Sequence, residues 1–352
     1  MSEGFGILQG DRRDDRIVCD EPLFSIIVLS WNSLRYLPRC LESIREQTCR
    51  SFELICVDNG SVDGSVEWLT GRDVGEYVGV ATQVILHDRN KGFAAGMNSG
   101  IRVARGRWVV PLNVDMVLAA DFLEEARKAA ERHRDVAMIG AKVYAYEDGL
   151  TERVVTAGIW PTRHLTARTR LERAEREEEV FGPAGCCPIL LHSALRVAGL
   201  PGEVTGAREA MVYDEDYFAY GEDVDLYFRL QLLGFRCMYV PRVRGWHVHS
   251  GTQEGVRWYE KDAGTLGRVP ANAFFTLMKN CPEELLVRLA GYVIGAPLAQ
   301  AVLLLGKRPS RAVYPLGAYG GMVRGLGRAV RIRRWLQARR QREGSELWRW
   351  FM

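Results

Sequence analysis

At 352 residues, with 47% hydrophobic and 26% charged residues, the chain can hold one large domain and a smaller companion, and its composition excludes a disordered polymer. The net charge of +3 hides a segregation: residues 306–352 carry twelve Lys/Arg and two Glu, so the first 305 residues sum to −7. An acidic body without a basic stripe argues against nucleic acid, and the basic end points to a phosphate-bearing partner or an anionic membrane face.

The eight cysteines (Cys19, Cys40, Cys49, Cys56, Cys186, Cys187, Cys237 and Cys281) form no CxxC pair. Cys40 and Cys56, inside apolar helix and strand patterns, read as small core residues, and the set shows no disulfide framework or zinc site, which favours a reducing, cytoplasmic compartment. No positive-then-apolar leader pattern opens the chain, and residues 1–21 read as a flexible tail.

Residues 23–29 (LFSIIVL) are a continuous apolar run with β-branched members, the pattern of a buried strand. Ser30-Trp31-Asn32 follows, then a helix over about 34–46 with Pro38 in its first turn. Residues 52–57 predict a second buried strand ending at Asp58-Asn59-Gly60, after which Ser61 caps a short helix to about residue 69. A third strand, 82–86, leads through HDRNKG to a helix over about 93–104, closed by Gly106 as a left-handed cap. The fourth strand, Trp108 to Leu112, ends on Asn113-Val114-Asp115. Asp121 and Glu124 then make a capping box for a helix to about residue 133.

Four successive βα units with continuously apolar strands demand a mostly parallel sheet covered by helices on both faces. The polar residues after the strands, Ser30/Trp31/Asn32, Asp58/Asn59, Asp88/Asn90 and Asn113/Asp115, then share the sheet edge where open α/β folds bind ligands. One such residue is a turn; four sets on one edge are a site. Asp115 there suits a hard divalent cation that bridges phosphate oxygens. The stretch GFAAGMNSG follows the third strand and is not a dinucleotide fingerprint. It offers small residues at a helix N-terminus, where a diphosphate can approach, although close helix packing explains the same glycines.

Beyond residue 137 the pattern loosens. Residues 142–160 read as short strands and turns, 162–180 as a solvated helix or flexible loop, and a short helix capped by Ser193 stops at Gly199. A helix over 222–233 is closed by Gly234, and a strand over 236–240 ends at Pro241. The first turn of that helix carries Glu222, Asp223 and Asp225, a placement the helix dipole favours. Asp225 has Arg229 one turn on and reads as structural. Glu222 and Asp223 have no such partner, and Tyr217, Phe218 and Tyr220 before them are flat surfaces of the kind that hold a sugar ring. A carboxylate beside such a pocket is a candidate general base. His247 and His249 alternate after the next strand, so one of them is a candidate ligand opposite an Asp-bound metal.

From about residue 272 the chain is helical. Residues 285–305 are apolar over about the length of a bilayer, but Arg288 and Pro297 favour a helix or hairpin lying in the interface, with the basic 307–342 segment against anionic headgroups. A helical subdomain packed on the core is the competing reading.

Taken together, FSIIVLSWN, VDNGSVDGS, RNKGFAAGMNSG, the Asn113-Val114-Asp115 triad, YGEDVDLYFRL and the following His resemble the inverting glycosyltransferases of family 2 over about residues 23–250. The part from Asn272 through MKNCPEELL to GSELWRW resembles their rhamnosyltransferase-type members. The resemblance implies a GT-A fold over 22–255, flanked by the flexible tail over 1–21 and the basic, membrane-associated helical region over 256–352 read above. It implies a nucleotide-diphosphate sugar donor, dTDP-rhamnose or a UDP-sugar, a glycan or lipid-linked acceptor, and a cytoplasmic enzyme peripheral on the inner face of the cell membrane. Asp58 would contact the nucleobase, and Ser30 and Asn32 the nucleotide. Asn90, Gly92 and Asn98 would lie by the ribose and diphosphate. Asp115, with Asn113, would hold Mg²⁺ or Mn²⁺, and His247 would complete that shell. Asp223 would be the base and Glu222 a sugar-hydroxyl ligand. Two departures stand out: Asn113 where the triad commonly begins with Asp, and His192 where relatives often carry Arg. The rivals are an inactive sugar-nucleotide-binding module and a sugar-nucleotide nucleotidyltransferase. The second is disfavoured by Ser30-Trp31-Asn32, where a Gly-rich basic loop would be needed.

Overall fold

The structure, a computed structural model, describes residues 21–71, 73–248 and 258–352. His249 and all but the last residue of the expected tail lie outside the described residues. The strands are β1 (Phe24–Ser30), β2 (Phe52–Asp58), β3 (Thr82–Leu86), β4 (Trp108–Asn113), β5 (Met116–Leu118), β6 (Met138–Tyr146), β7 (Leu150–Ala157), β8 (Trp160–Pro161), β9 (Ala167–Arg168), β10 (Glu178–Val180), β11 (Ile189–Leu191) and β12 (Cys237–His247). The helices are α1 (Leu37–Arg45), α2 (Ser65–Thr70), α3 (Val74–Val78), α4 (Phe93–Val103), α5 (Phe122–Arg132), α6 (His192–Ala198), α7 (Gly202–Thr205), α8 (Glu222–Leu232), α9 (Ala263–Asn280), α10 (Glu283–Lys307), α11 (Gly317–Gln337) and α12 (Gly344–Trp348).

One mixed sheet runs in the order β10-β12-β6-β11-β4-β1-β2-β3, with β5 added to β12 and β7 to β6. The four strands β4-β1-β2-β3 are parallel neighbours, as their apolar runs demand. Alternation along a strand sends successive side chains to opposite faces. Ile27, Ile55, Val57 and Val109 therefore join Ala94, Met97 and Ile101 of α4 in one core. Ile26, Val28, Leu54 and Cys56 join Leu37, Cys40 and Ile44 of α1 in another. Pro38 lies in the first turn of α1 as expected, and the seven described cysteines are free thiols.

Several local readings are corrected. β3 is the edge strand at one end of the sheet order, and Val84 and Leu86 are exposed there. Asp121 makes no side-chain cap on α5; its carboxylate takes the Arg244 guanidinium at 3.1 Å instead. Gly106 does not close α4, which ends at Ala104; it packs on the β1 backbone beside Ser25. Ser61 caps no helix, α2 beginning after Gly64, and α6 starts at His192 without a side-chain cap. β12 continues through Pro241 to His247, since a register shift between Val240 and Arg244 absorbs the proline. The 162–180 segment adds β10 to the sheet edge.

The C-terminal helices share the main core. Leu336, Leu347 and Trp350 cluster with Leu226, Phe228 and Tyr239. The basic residues after 306 are therefore not a free electrostatic tail. Arg328 binds Asp214 at 2.8 Å, Arg333 donates to the Cys281 carbonyl at 2.6 Å, and Arg342 donates to the Gly234 carbonyl at 3.1 Å. Helix α10 buries one stripe, Leu285, Leu289, Val293, Pro297, Ala301 and Leu304, half-buries Leu286 and Ala290 beside it, and exposes most of the rest.

Candidate active site

The register sets Ser30 beside Asp58 and Leu29 beside Asn113, so the carboxyl ends of β1, β2 and β4 meet on one edge. Asp58 is fully buried. Its Oδ1 accepts from the N–H groups of Gly60 (3.0 Å) and Ser61 (2.8 Å), while its Oδ2 and the Ser30 Oγ have no protein partner among the described residues. A buried carboxylate oxygen without a donor is costly, which marks this oxygen as one kept for a ligand. Asn32, at φ 49°, donates its N–H to Ser61 Oγ and accepts from Val62 N–H, both at 2.8 Å. Asn59 donates to Asn90 Oδ1 and to the Gly92 carbonyl, both at 3.1 Å, and Asn90 Oδ1 also accepts from Gly92 N–H at 2.8 Å. These asparagines stitch the three loops into one wall.

The start of α4 is not the open diphosphate cradle that its glycines suggest. Ala94 N–H donates to the Phe218 carbonyl at 3.2 Å. Gly92 lies at φ 88°, and a Cβ there would come within 2.6 Å of the Phe218 ring. Asn98 is buried and spent: Nδ2 donates to the Tyr213 carbonyl (2.8 Å) and Glu215 Oε1 (2.9 Å), and Oδ1 accepts from Tyr213 N–H (2.9 Å). Gly92 and Asn98 therefore anchor the 212–218 segment against α4.

Across the edge, Asp115 and His247 meet. Pairing of β5 with β12 sets His247 opposite Met116, and Asp115 Oδ1 lies 3.1 Å from His247 Nε2. Burial works against a charge on His247, but Cys186 and the Asp115 carboxylate outweigh it and raise its pKa to about 9. A carboxylate and an imidazole are both ligand types for a divalent cation, so Asp115 and His247, once Nε2 has given up its proton, would hold such an ion. Asn113 is fixed through its backbone N–H, which donates to the Cys186 carbonyl at 2.9 Å.

Glu222 and Asp223 open α8 after Gly221, at φ 89°. Asp223 Oδ1 accepts from Val224 N–H at 2.7 Å, and Glu222 Oε2 is buried without a partner among the described residues. Burial raises both pKa values; with the added charge of Asp223, Glu222 reaches about 8. The neighbouring acids differ in kind. Asp225 pairs with Arg229 (3.0 Å) and Lys279 (2.8 Å), confirming its structural reading. Tyr217 is buried too, its hydroxyl hydrogen-bonded to Thr276 at 2.7 Å, so it is no sugar platform. Phe218 and Tyr220 remain half-buried in the turn before the acids. Gly185 was not legible as a site residue: a Cβ there would overlap Asp223 Oδ2, so only glycine leaves that carboxylate its place. His192 stands apart. Its Nδ1 faces the Gly106 carbonyl at 3.0 Å, beside the N-terminal end of β4, and burial lowers its pKa. It is a neutral packing residue at the sheet edge opposite the site.

Comparison with known proteins agrees with this architecture. Residues 25–198 match the family model described as glycosyl transferase family 2. A PGL/p-HBAD biosynthesis glycosyltransferase of Mycobacterium tuberculosis is 40% identical over 113 residues, 31% of this chain and 41% of that one. The putative glycosyltransferase EpsH of Bacillus subtilis is 30% identical over 164 residues, 46% of this chain and 45% of that one. The matches thus span less than half the length of these relatives. Among solved structures, Staphylococcus aureus TarS 1–349 in complex with UDP superposes with a TM-score of 0.52 at 14% identity, covering 88% of this chain and 90% of that one. GalNAc-T7 with UDP, GalNAc and Mn²⁺ superposes with a TM-score of 0.56 at 13% identity, covering 91% and 56%. The fold is the GT-A arrangement with additional C-terminal helices.

Proposed function

This chain belongs to glycosyl transferase family 2 through residues 25–198, and on that premise we propose that it transfers a hexosyl unit, with inversion, from a nucleotide-diphosphate sugar to a glycan or lipid-linked acceptor. The observation that carries the reading is a division among buried acids. Asp214 and Asp225 are neutralised by Lys and Arg. Buried Asp58 and Glu222 and half-buried Asp223 have no ion pair among the described residues, and Asp58 and Glu222 each keep a buried carboxylate oxygen without a hydrogen-bond partner. Asp58 Oδ2 and Ser30 serve the nucleoside. Asp115 and His247, with Asn113 beside them, hold Mg²⁺ or Mn²⁺. The bound cation supplies positive charge for the departing diphosphate. Asp223 takes the acceptor hydroxyl proton as that oxygen attacks the anomeric carbon from the face opposite the diphosphate. Glu222, neutral near pH 7, donates a hydrogen bond to a sugar hydroxyl. A dTDP-rhamnose or UDP-sugar donor is the favoured choice; the UDP and Mn²⁺ bound by the two fold relatives are in keeping with it.

The donor half of this reading is tested at Asp58. Asp58→Asn keeps the oxygen that holds Gly60 and Ser61 and replaces the free one with an N–H donor. Binding of the preferred nucleotide among UDP, GDP and dTDP, with Mn²⁺, should weaken by about 1.5–3 kcal/mol by calorimetry. Equal affinity in both proteins removes Asp58 from the site.

We also propose that the protein works on a membrane surface. Residues 289–306 contain no charged side chain, and along this length of about 27 Å the outer face of α10 presents Leu298 (57% exposed), Val302 (59%) and Leu305 (60%). Arg288 stands at one end, and Lys307, Arg308 and Arg311 at the other. An apolar face between cationic ends suits an anionic bilayer interface. The full chain should co-sediment with vesicles of phosphatidylcholine and phosphatidylglycerol. The double variant Leu298→Glu, Val302→Glu should lose about tenfold or more in partitioning, as expected for two large apolar side chains kept out of lipid. Undiminished sedimentation of the variant contradicts this surface.

A further inference from the structure

The turn that delivers Asp223 is held open by a residue far away in sequence. Phe218 lies at φ 59°, ψ −63°, Tyr220 at φ 73° and Gly221 at φ 89°. Ala219 N–H donates to the Tyr217 carbonyl at 2.6 Å, two residues back, which closes a γ-turn of the rare positive-φ form. Side-chain-bearing residues keep such backbone only where the surroundings over-determine it. Here the surroundings are α9. Asn272 Nδ2 donates to the carbonyls of Tyr217 (3.1 Å), Ala219 (3.2 Å) and Tyr220 (2.7 Å). These three acceptors fix which side-chain atom is the nitrogen. Asn272 is 3% exposed. One turn further on, Thr276 Oγ1 donates to the Asn272 carbonyl at 3.1 Å and bonds the Tyr217 hydroxyl at 2.7 Å. Ala94 N–H holds the same turn through the Phe218 carbonyl at 3.2 Å.

We propose that Asn272 is a positioning residue for transfer: its amide holds the turn over residues 217–221 so that Asp223 meets the acceptor hydroxyl. This rests on the reading of Asp223 as the base. Without the amide, three carbonyls lose their common donor and the turn relaxes, moving Asp223 relative to Gly185. A misplacement of about 1 Å costs on the order of 10²-fold in rate.

The test compares Asn272→Ala, Asn272→Asp and Asp223→Asn as full-length proteins. Asn272→Ala should lower kcat by about 10–10²-fold, with affinity for the nucleotide and Mn²⁺ held within about threefold. The acid limb of its pH–rate profile should move to lower pH, because a base released from burial regains a more ordinary pKa. Asn272→Asp sets a carboxylate against three carbonyls and should lose more. Asn272→Ser, which keeps one short donor, gives the same readouts where the charged variant does not fold. Wild-type kcat in Asn272→Ala, or a lowered kcat with an unmoved acid limb, overturns the positioning role. Wild-type turnover in Asp223→Asn overturns the base assignment itself, so the two failures are distinct.

Discussion

Asp223→Asn should lower sugar transfer by about 10²–10⁴-fold, the usual worth of a general base, and leave nucleotide binding nearly intact. The substitution keeps the shape and the acceptor oxygen that takes Val224 N–H. What it removes is a proton acceptor in a place where burial already raises the carboxyl pKa. A raised pKa brings the base closer to working pH, so its conjugate acid forms at less cost during attack. Rate and binding should therefore separate: product formation collapses while calorimetry shows wild-type affinity for the nucleotide. Turnover at the wild-type level would shift the assignment to Glu222. The neighbouring carboxyl, at about 8, is largely protonated near neutrality and is poorly suited to that task.

The second large effect is on stability. Lys279 is buried on α9 and lies 2.6 Å from Asp214 and 2.8 Å from Asp225, with its ammonium 4.4 Å from the Tyr217 ring centre. Lys279→Met should destabilise the fold by about 3–5 kcal/mol at pH 7, because it strands two buried carboxylates with one cationic partner fewer. The pH dependence follows from the direction of the shifts. Burial alone would raise the Asp214 and Asp225 pKa values, but Lys279 with Arg328 at the first, and with Arg229 at the second, outweighs it and holds both low. A carboxyl depressed in the folded state stabilises above its unfolded pKa and loses that contribution as pH falls toward the folded value. The deficit of Lys279→Met measured by urea unfolding should thus be full near pH 7 and shrink below about pH 4. A deficit under about 1 kcal/mol at pH 7 contradicts the network's role.

More of the proposed donor half of the site than of the proposed acceptor half was legible in the sequence. Apart from Ser25 and Glu53, β1, β2 and β4 are apolar up to their polar last residues, so their direction and the common edge of Ser30, Asp58 and Asn113 follow from burial on both faces. The acids at the start of α8 were legible because a helix start with unpaired carboxylates needs explaining. The contacts that serve Asn98, Gly185 and Asn272 were not legible. Each depends on a partner more than thirty residues away, at Tyr213, Asp223 and Tyr217, and periodicity carries no information about such pairs. The same limit misread the C-terminal arginines. Twelve basic residues in one stretch look like a tail, yet Arg328 and Arg333 are fixed by Asp214 and a buried carbonyl. β3 looked like a core strand because its residues are apolar enough; only its place at the sheet edge decides otherwise.

The central claim is that this cleft breaks the bond between the anomeric carbon and the diphosphate of a sugar nucleotide. With water as the acceptor, the slow reaction of the donor selected from UDP-, GDP- and dTDP-sugars, in Mn²⁺, can be followed by NMR. The account predicts nucleoside diphosphate and free sugar of inverted initial anomeric configuration, both suppressed by EDTA and by Asp223→Asn. Release of nucleoside monophosphate with sugar 1-phosphate, a retained anomer, or no turnover of any donor would contradict it.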